Sequence, residues 1–289
     1  MFPFSGLLDL LCPPVCPVCD GIIENPAGKS EPICSACLQK IVTPNGQFCR
    51  RCGGRRFVLQ ASAEDCPRCR TSQFRFNRVI ALGEYENDLR HLVLRMKTDK
   101  TGILAIAAAN ALADQRRAEL ESVGVDYIVP VPMHRFRRVD RGNNSPDTIA
   151  EELGRRLKIP VRRHLVRRIR PTDLQYTLSN RARAENVSGA FAVRPPNLLE
   201  RLKSRMLEKS QGRSILEKSR GRSILEKSRG RSAAQSPDLP GKNILLVDDI
   251  LTTGSTCNEI ARILLTAGVR SVTVAVLARA EGNYFRPFD

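Results

Sequence analysis

The sequence predicts an α/β fold built on a parallel sheet, with a cysteine-rich metal module at the N-terminal end. Three observations carry that prediction. Eight of the ten cysteines fall into four C-x-x-C pairs between Cys16 and Cys69. Near the other end, the hydrophobic run Ile244 to Val247 leads into Asp248-Asp249, then a Thr/Gly/Ser stretch, then a helical pattern and a second hydrophobic run. This is strand, polar glycine-containing loop, helix, strand: a βαβ unit, which requires a parallel sheet. Between the two ends, a segment that repeats every nine residues from Leu207 to Ser232 interrupts the composition.

The cysteine module comes first in the chain. Its pairs are Cys16/Cys19, Cys34/Cys37, Cys49/Cys52 and Cys66/Cys69, with 14 residues between the first two pairs and 13 between the last two. A C-x-x-C turn presents two thiolates to one metal, and a loop of this length lets a second turn complete a tetrahedron. Four such turns supply two closed Cys₄ sites, and a closed site makes zinc structural rather than catalytic. Sequential pairing is the preferred reading: Cys16, Cys19, Cys34 and Cys37 on one zinc, and Cys49, Cys52, Cys66 and Cys69 on the other. A cross-braced arrangement fits the spacing as well. Disulfides and a redox C-x-x-C are weaker readings, because thiols stay reduced in the cytoplasm and one such motif suffices for redox work. Gly53 and Gly54 let backbone amides turn toward the sulfurs. Arg50, Arg51, Arg55, Arg56, Arg68 and Arg70 crowd the second site, either to offset thiolate charge or to contact nucleic acid. As a local folding unit, the module should unfold on Cys49→Ser and spare the rest. Cys12 and Cys257 read as ordinary thiols.

The body follows. Leu89, Leu92, Val93 and Met96 share one helical face within 84–97, and the alanine-rich stretch 103–120 is also helical. Tyr127 to Val131 reads as a short buried strand stopped by Pro130 and Pro132. Ser145-Pro146-Asp147 has the capping residue, proline and acid of a helix start, and Ile149, Leu153 and Leu157 line its inner face. A strand is expected near 163–167, another over Asn243 to Val247, a helix running to Ala267 with Gly268 as its stop, and a last strand over Val272 to Leu277. Ligands in such sheets bind at the carboxyl ends of strands, where Asp248-Asp249 and Pro130-Val131-Pro132 both fall.

Charge and the N-terminus bound the function class. The net charge is +17, from 47 Lys and Arg against 30 Asp and Glu, which points to polyanionic partners. The stretch 200–232 holds 11 basic and 4 acidic residues, so it supplies +7 of that excess, and its composition cannot build a core. The block 134–170, with 12 basic and 4 acidic residues, lies beside the expected ligand site and matters more. No apolar run reaches the roughly 18 residues of a membrane span. The first eleven residues lack the basic start and cleavage site of a secretory signal. They read as a short amphipathic helical turn, and the expected location is cytoplasmic.

The loop after Asp249 has the parts of a phosphate cradle: backbone N–H groups, Ser/Thr hydroxyls and a positive helix start. Two carboxylates beside it can accept hydrogen bonds from vicinal hydroxyls, so a ribose 5-phosphate suits both halves. An acidic strand end followed by an ordinary loop is the plainer alternative. No Gly-Lys-Thr follows, so this is not a P-loop.

The run ILLVDDILTTGST resembles the phosphoribosyl pyrophosphate (PRPP) motif of type I phosphoribosyltransferases. With IVPVPMHRFRRVDRG (128–142), TDLQYTLSNRARAENVSGAF (172–191) and the four cysteine pairs, the chain resembles the ComF family. These are competence-associated phosphoribosyltransferase-like proteins with an N-terminal double zinc ribbon. The resemblance spans everything but the repeat insert. It implies a type I phosphoribosyltransferase-like parallel sheet after a zinc-ribbon module. The expected division is 1–75 (double zinc ribbon), 76–199 and 237–289 (the two parts of the phosphoribosyltransferase-like domain) and 200–236 (the insert).

The resemblance also implies roles. Asp248 and Asp249 would bind the ribose hydroxyls and carry the catalytic assignment. Thr252, Thr253, Gly254, Ser255 and Thr256 would hold the 5′-phosphate. Pro130, Val131 and Pro132 would form the pyrophosphate loop, with Arg135 facing its charge. Gln175 and Arg181 would lie on a flap, and Mg²⁺ would accompany PRPP. His134 reads as a loop neighbour rather than a base. One departure is clear: the family's Arg-Gly-Phe-Asn-Gln run is here Arg141-Gly142-Asn143-Asn144-Ser145, without the aromatic and the final amide. Two function classes follow: phosphoribosyl transfer to an unnamed acceptor, or PRPP sensing and single-stranded-DNA handling without turnover, in either case in DNA uptake.

Overall fold

The computed structural model describes residues 15–23, 33–44, 47–55, 66–133, 144–170, 180–194 and 238–280. Cys12, the N-terminal turn, His134, Arg135, Gln175 and the repeat insert lie outside them.

Strands β1 (Arg78–Glu84), β2 (Tyr127–Pro130), β5 (Asn243–Leu251) and β6 (Ser271–Arg279) form one sheet in the order β1-β6-β5-β2, parallel throughout. A parallel sheet is covered on both faces, and the side chains alternate accordingly. Ile80, Leu82, Ile128, Leu245, Val247, Ala275 and Leu277 face one core with helices α3 (Asn87–Met96), α4 (Ile103–Gln115) and α6 (Ser145–Leu157). Val79, Ala81, Val129, Ile244, Leu246, Val274 and Val276 face the other, under α8 (Ser255–Thr266) and the antiparallel pair β3 (Val166–Arg168) and β4 (Phe191–Val193). Helix α7 (Asn180–Val187) packs on α8. The α/β parallel-sheet expectation therefore holds.

Several details differ from the sequence reading. The single helix expected over 103–120 is two, α4 and α5 (Arg117–Glu121), parted at Arg116. That residue is 3% exposed, and its guanidinium donates to the carbonyls of Ala81 (2.8 Å), Leu82 (2.9 Å) and Thr43. The cap of α6 is Asn144, with Ser145 and Pro146 already inside the helix. Strand β3 starts three residues later than expected, and β5 runs on through the two aspartates to Leu251.

Strand β1, which the sequence reading did not include, is the seam between module and body. Its free edge is covered by the cysteine module: Thr43 N donates to Leu82 O (3.1 Å) and Val79 N to Arg50 O (2.9 Å). Covering an edge this way removes a site for stray strand pairing. The fit is close. A Cβ on Gly83 would lie 2.1 Å from the Ile41 carbonyl, and one on Gly53 would lie 2.6 Å from Val79 Cγ1.

Candidate functional site

Two four-cysteine clusters assemble as the preferred pairing has them: Cys16, Cys19, Cys34 and Cys37, and Cys49, Cys52, Cys66 and Cys69, the sulfurs of each within 4.8 Å of one another. The two first halves are built alike. Cys16 N bonds Gly21 O and Asp20 N bonds Cys16 O (both 2.8 Å); Cys49 N bonds Gly54 O (2.7 Å) and Gly53 N bonds Cys49 O (2.8 Å). Gly54 N points at Cys52 Sγ (3.4 Å), as expected, whereas the Gly53 amide serves the Cys49 carbonyl instead of a sulfur. The second halves sit at the starts of short helices, α1 (Ser35–Ile41) and α2 (Pro67–Thr71), whose positive ends favour thiolates.

The spacing fits zinc. A Zn–S bond of about 2.3 Å in a tetrahedron puts sulfurs roughly 3.8 Å apart. The Cys19–Cys34, Cys49–Cys69 and Cys52–Cys66 sulfur pairs lie at 3.8, 3.7 and 3.6 Å. The electrostatics agree. A hydrogen bond from Cys52 and nearby amides bring the Cys49 thiol down to about 4, while that same hydrogen bond and burial push Cys52 up. Four crowded thiols cannot all ionise unless a cation replaces their protons.

Three of the arginines beside the second cluster make contacts that stitch it to the body, while Arg56 lies outside the described residues. Arg51 donates to the carbonyls of Phe74 (2.7 Å) and Asn77 (3.2 Å), Arg55 pairs with Glu84 (3.3 Å), and Arg68 donates to Thr252 O (2.8 Å).

The second site gathers at the carboxyl ends of the parallel strands. Pro130 lies opposite Val247, and Val131 N donates to Val247 O (2.8 Å), so the Pro130-Val131-Pro132 segment runs beside the aspartates. Asp248 Oδ1 accepts from Asp249 N (2.9 Å), and Asp249 Oδ1 from Ile250 N (2.7 Å). Gly254 starts α8 at φ 83°, a left-handed conformation strained for any other residue type here. The Thr253 and Ser255 hydroxyls are 2.8 Å apart, and the helical ladder begins with Asn258 N to Gly254 O. The N–H groups before it have no partner within the helix, as at any helix start.

Asp248 opens partly to solvent at the mouth, yet protein surrounds it densely. Burial and the adjacent Asp249 charge hold its carboxyl well above the ordinary range, against a smaller pull from Lys97. Tyr85, 3% exposed, and Cys257, 1% exposed, lie close enough to feel the diacid. A raised carboxyl pKa means that the fold holds the proton more tightly than the unfolded chain does. Stability then falls as pH rises above the unfolded value of 3.8 and stays lowered beyond the folded one. Asp248→Asn should therefore raise Tm at neutral pH. About 1 kcal/mol corresponds to roughly 2–4 °C for a domain of this size. The gain should vanish below about pH 4, where Asp248 is protonated in both states. Thermal unfolding of both proteins across that range checks it; a variant no more stable at pH 7 contradicts it.

Arg181 falls in α7, and its side chain lies outside what is described, as do Arg135 and Gln175. Sequence reading missed Arg279. This guanidinium is 1% exposed at the end of β6 and donates to Cys52 O (3.1 Å), Leu251 O (2.7 Å), Thr252 O (2.6 Å) and Ala280 O. Its signal was an arginine closing an otherwise apolar strand.

The phosphoribosyl transferase domain family matches residues 183–287, and the double zinc ribbon domain family matches residues 7–70. Competence protein F of Haemophilus influenzae is 28% identical over 254 residues, covering 86% of this chain and 90% of that protein. The chain carries a phosphoribosyl transferase domain after a double zinc ribbon, the pairing that the ComF resemblance implies. Two further proteins are similar to this chain, both called DNA utilization protein YhgH. The one from Salmonella typhimurium is 27% identical and the one from Escherichia coli K12 26%, each over 250 residues, 86% of this chain and 90% of the relative. The ComF arrangement, type I phosphoribosyltransferase-like sheet and zinc-ribbon module, is the fold expected. Among the described residues, no helix is long and apolar enough to cross a membrane.

Proposed function

We propose that this chain is a ComF-family protein that binds PRPP with Mg²⁺ at Asp248–Thr256 and acts in DNA utilization during competence. The observation that carries the reading is the juxtaposition of a carboxylate pair, a hydroxyl-lined helix start and the Pro130–Pro132 segment at one end of a parallel sheet. Asp248 and Asp249 would accept from the ribose hydroxyls, Thr252 to Thr256 would hold the 5′-phosphate, and Pro130 to Pro132 with Arg135 would face the pyrophosphate. Gln175 and Arg181 would cover the site.

The donor set suits Mg²⁺, which prefers one or two carboxylates together with substrate phosphates. When bound, Mg²⁺ offsets charge on departing pyrophosphate. The chain's own share is electrostatic and positional: hydroxyls and amides grip the phosphate while the diacid orients the ribose. Each cysteine cluster would hold one structural zinc. The names of the relatives support the link to competence and DNA utilization.

Transfer and sensing separate in one experiment. Pyrophosphate released from PRPP on addition of candidate acceptors supports a phosphoribosyltransferase. Salt-sensitive binding of single-stranded DNA without PRPP turnover supports the non-catalytic reading.

Residues 200–236 are proposed as an insert between the two parts of the domain, looped out at modest entropic cost. Deleting them should change PRPP affinity less than about twofold, because their composition builds no core. Limited proteolysis should cut there first. Loss of PRPP binding on deletion would place the segment in the site.

A further inference from the structure

The geometry points to Arg279 and Arg68 as positioning residues that tie the Thr252–Ser255 loop to the second cysteine cluster, so that metal in the cluster and anion in the loop stabilise one another. The anion half of this rests on the proposed function.

The links are short. Arg279 Nε takes the carbonyl of Cys52, itself a cluster ligand, and Arg279 Nη1 takes those of Leu251 and Thr252. Arg68 stands between ligands Cys66 and Cys69, and its Nη2 takes the same Thr252 carbonyl at 2.8 Å. One loop carbonyl is thus gripped by two guanidinium groups, one borne within the metal module and one bonded to it. A peptide unit is planar and trans, so its C=O and the next N–H point in opposite directions. Holding the Leu251 and Thr252 carbonyls toward the module aims the Thr252 and Thr253 amides the other way. Neighbouring contacts brace the seat: Asn258 Oδ1 accepts from Arg75 N, and Phe74 and Phe76 pack 3.4–3.6 Å from where a Gly254 Cβ would be.

The first cluster is docked elsewhere. Asp20 pairs with Arg95 on α3 (3.3 Å), and the chain after α1 bonds β1 through Thr43. Metal there should leave the loop unaffected. Coupling of this kind is reciprocal by thermodynamic necessity.

The test has two arms. In ligand-free protein, hydrogen exchange of the Ala280 and Asn258 amides, which bond Leu251 O (3.0 Å) and Gly254 O (2.8 Å) on either side of the loop, should quicken roughly tenfold in Arg68→Ala and in Cys69→Ser, because a charge-assisted hydrogen bond is lost or its anchor freed. Cys19→Ser should leave those amides alone, and Arg68→Lys, which can still donate to Thr252 O, should recover most of the protection. In the second arm, saturating PRPP with Mg²⁺ should slow chelator extraction of one of two zinc equivalents roughly tenfold, and Arg68→Ala should abolish that slowing. Wild-type exchange in both Arg68→Ala and Cys69→Ser overturns the coupling. So does equal protection of both zincs. A wild type that binds no PRPP refutes the proposed function instead, and the exchange arm still decides the coupling.

Discussion

Asp249→Ala is expected to weaken PRPP binding by roughly 10- to 100-fold, the cost of about 1.5–3 kcal/mol for a charge-assisted hydrogen bond lost to a ribose hydroxyl. The carboxylate already curls over the backbone, accepting from Ile250 N at 2.7 Å, so it is held at the mouth before any ligand arrives. Deleting Thr253 should be worse. It would remove a hydroxyl bonded to Ser255 (2.8 Å) and shift Gly254 out of its φ 83° turn, and the helix start with it. Lys218→Ala, in the repeat, removes one charge far along the sequence from the loop and should change nothing measurable. Isothermal titration of these variants against PRPP and Mg²⁺ ranks them. Equal losses in Asp249→Ala and Lys218→Ala would mean that bulk charge alone is at work.

Cys49→Ser should cost on the order of 4 kcal/mol and lower Tm by roughly 10 °C, in one transition shared by module and body. Read from the sequence, the loss would have been local. The fold argues otherwise. The Cys49–Cys52 turn supplies the Arg50 carbonyl that caps β1 at Val79, and the Cys52 carbonyl that holds Arg279 inside the sheet end. Loosening the turn exposes the edge of β1 and leaves a buried guanidinium short of a partner, and both penalties fall on the body. Zinc content should drop from two to one per chain by elemental analysis. A separate low-temperature transition, with the main one unmoved, would mean that the module folds on its own.

These two expectations mark how far the sequence could be read. The β5-loop-α8-β6 unit was legible because its strands are unbroken apolar runs, and its turn carries the glycine a left-handed position demands. Both cysteine clusters were legible because ligand spacing is a local property. The seam was not. Strand β1 follows the module without a turn signal of its own, and only its partner β6 and the cover of the Arg50 and Thr43 segments make it an edge worth protecting. Helices α1 and α2, of 7 and 5 residues, are too short for a period to appear. Arg116 and Arg279 look like surface residues on paper. Their burial depends on carbonyls from distant segments, among them Thr43 and Cys52, which only the folded chain brings together. The diacid was read as standing beyond its strand. Pairing of Ile250 with Ala278 and of Leu251 with Arg279 carries β5 past the diacid to Leu251, four residues beyond the expected end, which is how Arg279 comes to meet the loop.

Calorimetric titration of the zinc-loaded full chain with PRPP, in the presence and absence of Mg²⁺, decides whether the Asp248–Thr256 loop is a PRPP site. The expected result is saturable binding of one PRPP per chain that depends on Mg²⁺ and is weakened at least roughly tenfold by Asp249→Ala. No Mg²⁺-dependent binding by the wild-type chain would contradict it, and would leave the phosphoribosyltransferase-like sheet as a scaffold for the zinc module.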